Sequence, residues 1–354
     1  MGVLTLARNF SICVILLLAL CVFFSCKAKE TPPEQVTEQI AEEEQEQEEE
    51  EPVQEELAEK TGNGEIQVSY QTQRSLSDIR SGLSGRLPAF GVNVSEINPI
   101  NFENPDPVIL KQMGVAQYLI SYLAGEQLYK SGDYDKAIAE YTASINSNGE
   151  FIEALISRGN AWLKKREYSR AIDDYTRSIR LDSRRAEVYN YRGYARYERG
   201  EVSLAIEDYS RAISLNGNYA DALINRSQAL YETGEYDRAI DDCTRVIALE
   251  PGNAYIWNRR GSAWYRKADD DRAIRDFTEA IRIRADYAIA LNNRGNAWYN
   301  KGEYDRALAD LNRTLALNPS FANAYISRGN VLLKLGSRES AEADFETARR
   351  LGSR

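Results

Sequence analysis

The sequence predicts an all-α solenoid of seven 34-residue helix–turn–helix units, and three observations predict it. One small residue recurs at a constant interval: Gly125, Gly159, Gly193, Gly261, Gly295 and Gly329, with Ser227 filling the single gap. An alanine recurs in the same register without exception, as Ala137, Ala171, Ala205, Ala239, Ala273, Ala307 and Ala341. Around both, apolar residues fall at helical spacing. No residue is inserted or lost over that span, and a fixed period of this length marks a stacked-repeat architecture.

Composition narrows the chemistry. The chain of 354 residues contains no His. That removes the usual general base, the nucleophile–His arrangements and the commonest zinc ligand, so the expectation is a protein that is not an enzyme and holds no metal or cofactor. The net charge of −10 is uneven. Residues 27–60 hold fourteen Glu against Lys27, Lys29 and Lys60, and the first 26 residues hold only Arg8. Residues 61–354 therefore carry 40 basic and 40 acidic side chains. A neutral array lacks the basic footprint that nucleic acid requires, so no nucleic-acid partner is expected. Three of the four cysteines, Cys13, Cys21 and Cys26, lie in the N-terminal run; Cys243 alone remains and is read as a buried core thiol.

Taken in order, residues 1–25 read as a lipoprotein signal peptide. Arg8 precedes an unbroken apolar run over residues 13–24, short for a membrane span, and the chain turns abruptly polar after Cys26. The junction resembles a bacterial lipoprotein signal, in which the cysteine becomes the acylated first residue. Ser25 fits the small residue before it; Phe23 and Phe24 depart from the usual box. That resemblance implies lipidation of Cys26 by acyl chains such as palmitate, with an uncleaved anchor and ordinary cleavage as alternatives. Lys27 after the cysteine favours the outer membrane by analogy with the sorting rule, so the expected place is the cell envelope, on the outer membrane or periplasmic face.

Residues 26–60, Glu/Gln-rich with Pro32, Pro33 and Pro52, bury nothing and repel themselves, which predicts a disordered, extended tether. Residues 61–106 read as a mostly irregular linker, with NPINFENPDP a chain of turn signals. From 107 to 354 the solenoid is expected. Asp106 and Pro107 are a plausible cap and first turn, so the first helix is predicted to run over residues 107–130, longer than its later counterparts.

With the periodic glycine numbered position 8, the units start at 118, 152, 186, 220, 254, 288 and 322. Position 11 is Leu128, Trp162, Arg196, Leu230, Trp264, Trp298 and Leu332; position 24 is Tyr141, Tyr175, Tyr209, Cys243, Phe277, Leu311 and Phe345. Position 32 is Pro in two units, Pro251 and Pro319. This pattern resembles the tetratricopeptide repeat and covers residues 118–354 in register. The resemblance implies a right-handed α-solenoid, here of a bacterial lipoprotein type. The physics agrees: small residues at 8 and 20 let two antiparallel helices approach, positions 21, 24 and 28 form a buried stripe, and Gly132, Gly200, Gly234, Gly302 and Gly336 near position 15 break the helices apart.

Two features are particular to this chain. Position 7 is Arg and position 23 Asp in the same six units, from Arg158 and Asp174 to Arg328 and Asp344; the first unit has Ala124 and Glu140. Each Arg is expected to pair with an Asp between packed helices and set their register. Positions 21 and 28, apolar in six units, are Glu342 and Arg349 in the seventh, the polar cap of a repeat terminus.

The family lines a concave groove with positions 2, 5, 6, 9, 12 and 13 of its first helices. Carried over, the candidate partner-binding residues are Asn160, Asn190, Tyr194, Tyr197, Asn225, Gln228, Tyr231, Asn258, Arg259, Tyr265, Asn292, Asn293, Asn296, Tyr299 and Asn330. Rings and amides suit an extended peptide. Glu187, Glu198, Asp221 and Glu232 mark the centre, with Lys130, Lys164, Arg266 and Lys334 towards the ends. No unit has the Lys at position 5 that the family's carboxylate clamp needs. The resulting expectation is a membrane-anchored scaffold that binds protein or peptide segments. The alternative is an accessory lipoprotein of an envelope transport system that binds a small molecule or peptide.

Overall fold

The computed structural model describes residue 111 and residues 116–352, and every regular element among them is an α-helix. The signal peptide, Cys26, the acidic tether and the 61–106 linker lie outside the described residues. Seven helical hairpins follow one another: α1 Gln117–Lys130 and α2 Tyr134–Ser147; α3 Ile152–Lys164 and α4 Tyr168–Leu181; α5 Ala186–Glu198 and α6 Val202–Leu215; α7 Ala220–Glu232 and α8 Tyr236–Leu249; α9 Ala254–Arg266 and α10 Asp270–Ile283; α11 Ala288–Asn300 and α12 Tyr304–Leu317; α13 Ala322–Lys334 and α14 Arg338–Gly352. Each helix packs on the next, and the first helices of neighbouring repeats also touch one another directly except between the fourth and fifth repeats, whereas second helices scarcely do. The first helices therefore line the inner face of the curve.

The hairpins close because of what position 8 lacks. A Cβ at Gly159 would stand 2.6 Å from the Tyr175 ring, and one at Gly261 would stand 2.7 Å from Phe277. The exception explains itself: where position 8 is Ser227, the facing position 24 is Cys243, a side chain small enough to leave room. The seven periodic alanines are fully buried on the opposite helix. Burial pushes the Cys243 thiol up to about 12, so it stays protonated as part of the core.

Between the helices the chain turns in three residues. The amide of Asp133 bonds Leu128 O at 2.9 Å and that of Gly132 bonds Tyr129 O at 3.0 Å, which satisfies the last carbonyls of α1 in a Schellman arrangement. Position 15 must then be left-handed, and Gly132, Gly200, Gly234, Gly302 and Gly336 all are. Arg166 (φ 59°) and Ala268 (φ 57°) adopt the same conformation without being glycine. Between repeats, Asn148, Asp182, Asn216 and Asn318 each accept a bond from the amide two residues on, an Asx turn that starts the next unit.

The Arg–Asp pairs form as expected, with more partners than the sequence suggested. Arg226 donates from Nε to Asp242 Oδ2 and from Nη2 to Oδ1, both at 2.7 Å, and the other five pairs share this fork. The third nitrogen reaches backwards: Arg226 Nη1 donates to Ser210 Oγ at 2.9 Å, and the equivalent atom elsewhere meets Thr142, Thr176, Thr244, Thr278 or Asn312. Each guanidinium thus joins both helices of its own repeat to the second helix of the one before. The Asp side chains are nearly inaccessible, so these are not the weak surface pairs of an exposed helix.

Two expectations change at the ends. The first helix does not run unbroken over residues 107–130: Ala116 is extended (ψ 137°), and α1 starts at Gln117 in the register of the other first helices. Lys111 is helical, and the other residues between 107 and 115 lie outside the described residues. At the other end, Glu342 and Arg349 are exposed, where Ile240 and Ile281 fill the same positions in the core.

Candidate functional site

The inner face divides the fifteen candidate residues into two groups. Eight stand half-exposed: Tyr194, Tyr197, Asn225, Tyr231, Tyr265, Asn293, Asn296 and Tyr299. The other seven are buried: Asn160, Asn190, Gln228, Asn258, Arg259, Asn292 and Asn330. The seven buried residues keep little of their surface accessible on that face.

The reason lies in how amides fasten neighbouring first helices. Asn225 Nδ2 donates to Asn190 Oδ1 at 3.0 Å, and Asn293 Nδ2 donates to Asn258 Oδ1 at 3.2 Å. Position 6 of one repeat thus grips position 5 of the repeat before. Position 9 works within a repeat: Tyr175 Oη donates to Asn160 Oδ1 at 2.7 Å. In the first repeat that position is Glu126, which accepts from Tyr141 at 2.7 Å and Ser157 at 2.8 Å. Burial pushes the Glu126 carboxyl above its ordinary value, against the opposing pull of those hydroxyls and Lys130.

Where the fourth repeat has Ile224 at position 5, the amide grip is absent, and Arg259 occupies position 6 of the fifth. Arg259 is 2% exposed; its guanidinium lies 4.7 Å over the Tyr255 ring and leaves Nε without a partner. Gln228 is 5% exposed, and its Oε1 is also unpartnered.

The tyrosines of position 12 have two roles. Tyr129, Tyr231 and Tyr299 pack edge-on or tilted against Tyr134, Tyr236 and Tyr304 of their own repeats, at 5.3, 5.4 and 5.6 Å between centroids. Tyr197 instead reaches the next repeat, where its hydroxyl donates to Glu232. Burial first, and then that hydrogen bond and charge, push the Tyr197 phenol well above its usual value, so it remains a donor.

Position 13, next to this row, escaped the choice of candidate residues. Along the repeats it is Lys130, Lys164, Glu198, Glu232, Arg266, Asn300 and Lys334. Its side chains are steered by position 17 of the preceding repeat: Tyr168 Oη donates to Glu198 at 3.1 Å, Arg266 Nε to Tyr236 Oη at 3.1 Å, and Asn300 Nδ2 to Asp270 at 3.3 Å. A partner 30 residues away leaves no local spacing signal, so only the structure brings these groups together.

Comparison with known proteins agrees with this geometry. Two family models match, one described as TPR repeat over residues 193–234 and 295–336, the other as Tetratricopeptide repeat over residues 122–186 and 224–288. Among solved structures, a tetratricopeptide repeat protein from Parabacteroides merdae is 20% identical, with a TM-score of 0.54 and 67% of this chain and 93% of that chain covered. YrrB, described as a TPR protein with an unusual peptide-binding site, is 20% identical with a TM-score of 0.48, covering 52% of this chain and 95% of its own. A MamA structure is 28% identical with a TM-score of 0.46, covering 49% and 94%. No curated protein sequence matches the chain. Arrays of this family mediate protein–protein interaction and peptide binding, and their scaffold is typically non-catalytic. Seven hairpins in a strict 34-residue register, closed by the same small residues and matched by both family models, make this chain a tetratricopeptide repeat protein.

Proposed function

We propose that this chain is a membrane-anchored scaffold of the bacterial cell envelope that binds an extended or helical segment of another protein on its inner face. The observation that carries the reading is the row of half-exposed Tyr194, Tyr197, Tyr231, Tyr265 and Tyr299 with Asn225, Asn293 and Asn296 on first helices that pack side by side. Rings supply contact area at low entropic cost, and amides hydrogen-bond a backbone whatever its sequence. The anchor in this reading is Cys26, acylated after signal cleavage, with the Glu-rich residues between it and the array giving reach. Among the described residues no helix is long and apolar enough to cross a membrane, so attachment rests on the N-terminal segment.

Two experiments test the two halves. Photo-crosslinking from position 231 or 265 in cells should capture a specific protein, while the same reagent on the outer face at position 207 or 241 should not; capture only from the outer face removes the groove from the proposal. For the anchor, Cys26→Ser should move the protein from the membrane to the soluble fraction. Unchanged fractionation and no acyl label on the parent would leave the scaffold without its anchor.

A further inference from the structure

The sign of position 13 changes along the inner face, and its two carboxylates are held in an unusual way. Two other acids of that face share one cation: Arg185 lies 2.8 Å from Glu153 and 3.9 Å from Glu187. Glu198 and Glu232 are exposed, on adjacent repeats, and among the described residues neither has an ion-pair partner. Neutral donors orient them instead. Tyr168 Oη donates to Glu198; Tyr197 Oη and Gln228 Nε2 both donate to Oε1 of Glu232. Burial and the adjacent carboxylates raise the Tyr168 and Tyr197 phenols, so both keep their protons and remain donors. Arg259, whose charge is felt at Tyr197, stacks on Tyr255 and pairs with neither carboxylate.

A second observation at the same place points to an absent donor. Gln228 is 5% exposed; its amide nitrogen is committed to Glu232, and the Oε1 on the same carbon has no partner. A buried acceptor left unmade is costly, and a cationic N–H arriving at Glu232 is the group that would satisfy both. We propose that Glu198 and Glu232 form a paired cation site. It would take two Lys or Arg side chains of an extended partner segment lying across the third and fourth repeats. This rests on the inner face being the binding face. First helices in direct contact lie about 10 Å apart, and a segment in the polyproline-II conformation rises about 3.1 Å per residue and returns to the same face every third residue, so the two cations are about three residues apart. Lys130 and Lys164 before the pair, and Arg266 and Lys334 after it, give the row a charge order that selects one register of the segment.

The test uses the full chain and three fluorescent dodecapeptides of Ala, Ser and Gly that carry two Lys, two Glu or two Gln three residues apart, read by anisotropy at low ionic strength. The Lys peptide is expected to bind at least about tenfold more tightly than the Gln peptide, and E198Q/E232Q to lose about that factor. E207Q/E346Q, on second helices, is expected to bind as the parent does. Both carboxylates of the site are exposed, so matched circular dichroism should show the E198Q/E232Q variant folded. Binding that survives E198Q/E232Q but is lost in Tyr231→Ala would overturn the cation site and leave the groove reading intact. Loss in E207Q/E346Q instead would overturn both, and so would failure of all three peptides to bind. Tighter binding of the Glu peptide would reverse the assigned sign.

Discussion

The Arg–Asp fork and the position-13 row repeat at the same period, yet one never changes and the other changes at nearly every step. From the second repeat to the seventh the fork keeps both residues, both bonds and, in five repeats, a hydroxyl on the preceding repeat. The row passes from Lys to Glu to Arg to Asn within the same span. A contact that must recur identically concerns how one hairpin sits on the next. A contact free to differ is not held fixed by how the hairpins stack. In a solenoid whose units touch only their neighbours, these two demands separate cleanly.

The comparison can be broken most severely at the fork. Asp242→Ala leaves the Arg226 guanidinium without its carboxylate in a largely buried site, which should cost about 3–5 kcal/mol. Urea unfolding would show it as a lower midpoint, and a change under 1 kcal/mol would return the pair to the class of surface ornaments. Next in size is the close approach of the two helices. Gly159→Ala drives a methyl into the Tyr175 ring and should cost about 1–3 kcal/mol. Cys243→Tyr should do comparable harm only while Ser227 is present, and Ser227→Gly should recover part of it. A smaller change has the opposite sign. Ala268→Gly relieves a left-handed alanine and should stabilise by about 1 kcal/mol, seen as a rise in Tm. The row itself should hardly register in stability: E198Q/E232Q is expected to shift unfolding by less than about 0.5 kcal/mol, with its effect confined to binding.

Acidity sharpens the contrast between the first repeat, which lacks the fork, and the rest. Burial raises the Glu126 carboxyl above 4.5 in the folded chain, so the native state holds its proton more tightly than the unfolded one. The stability this contributes is fully present below 4.5 and is lost as pH rises through the raised folded value. Glu126→Gln keeps a hydrogen-bonding side chain without that loss. The difference in unfolding free energy between parent and variant should therefore grow with pH above 4.5 and then level off; a difference that does not vary with pH would place the carboxylate in a solvated site.

What could be read in the sequence follows the same division. The register recurs in all seven units, and the close approach at Gly159 or Gly295 and the Arg–Asp pairing each recur in six, which made them legible. The burial of Asn190 and Asn258 was not legible, because an amide suits a peptide and a neighbouring helix equally well, and only packing shows that each accepts from the next repeat. Arg166 and Ala268 carry no mark of a left-handed turn. Glu198 and Glu232 were visible as charges, but the hydroxyls that aim them come from repeats 30 and 35 residues away. The start of α1 at Gln117 was hidden because Ala116 offers no capping side chain, whereas Asp106 and Pro107 offer an earlier cap and first turn.

The backward reach of each guanidinium has a mechanical side. Arg158, for instance, ties Asp174 of its own repeat to Thr142 of the one before, so pulling the ends apart loads these tethers in series along one edge. Tension applied at the N-terminal end of the array would meet the first repeat first, where Ala124 and Glu140 provide no such tether within the hairpin. That hairpin is the element expected to yield at the lowest force, acting as a compliant link that shields the six repeats behind it.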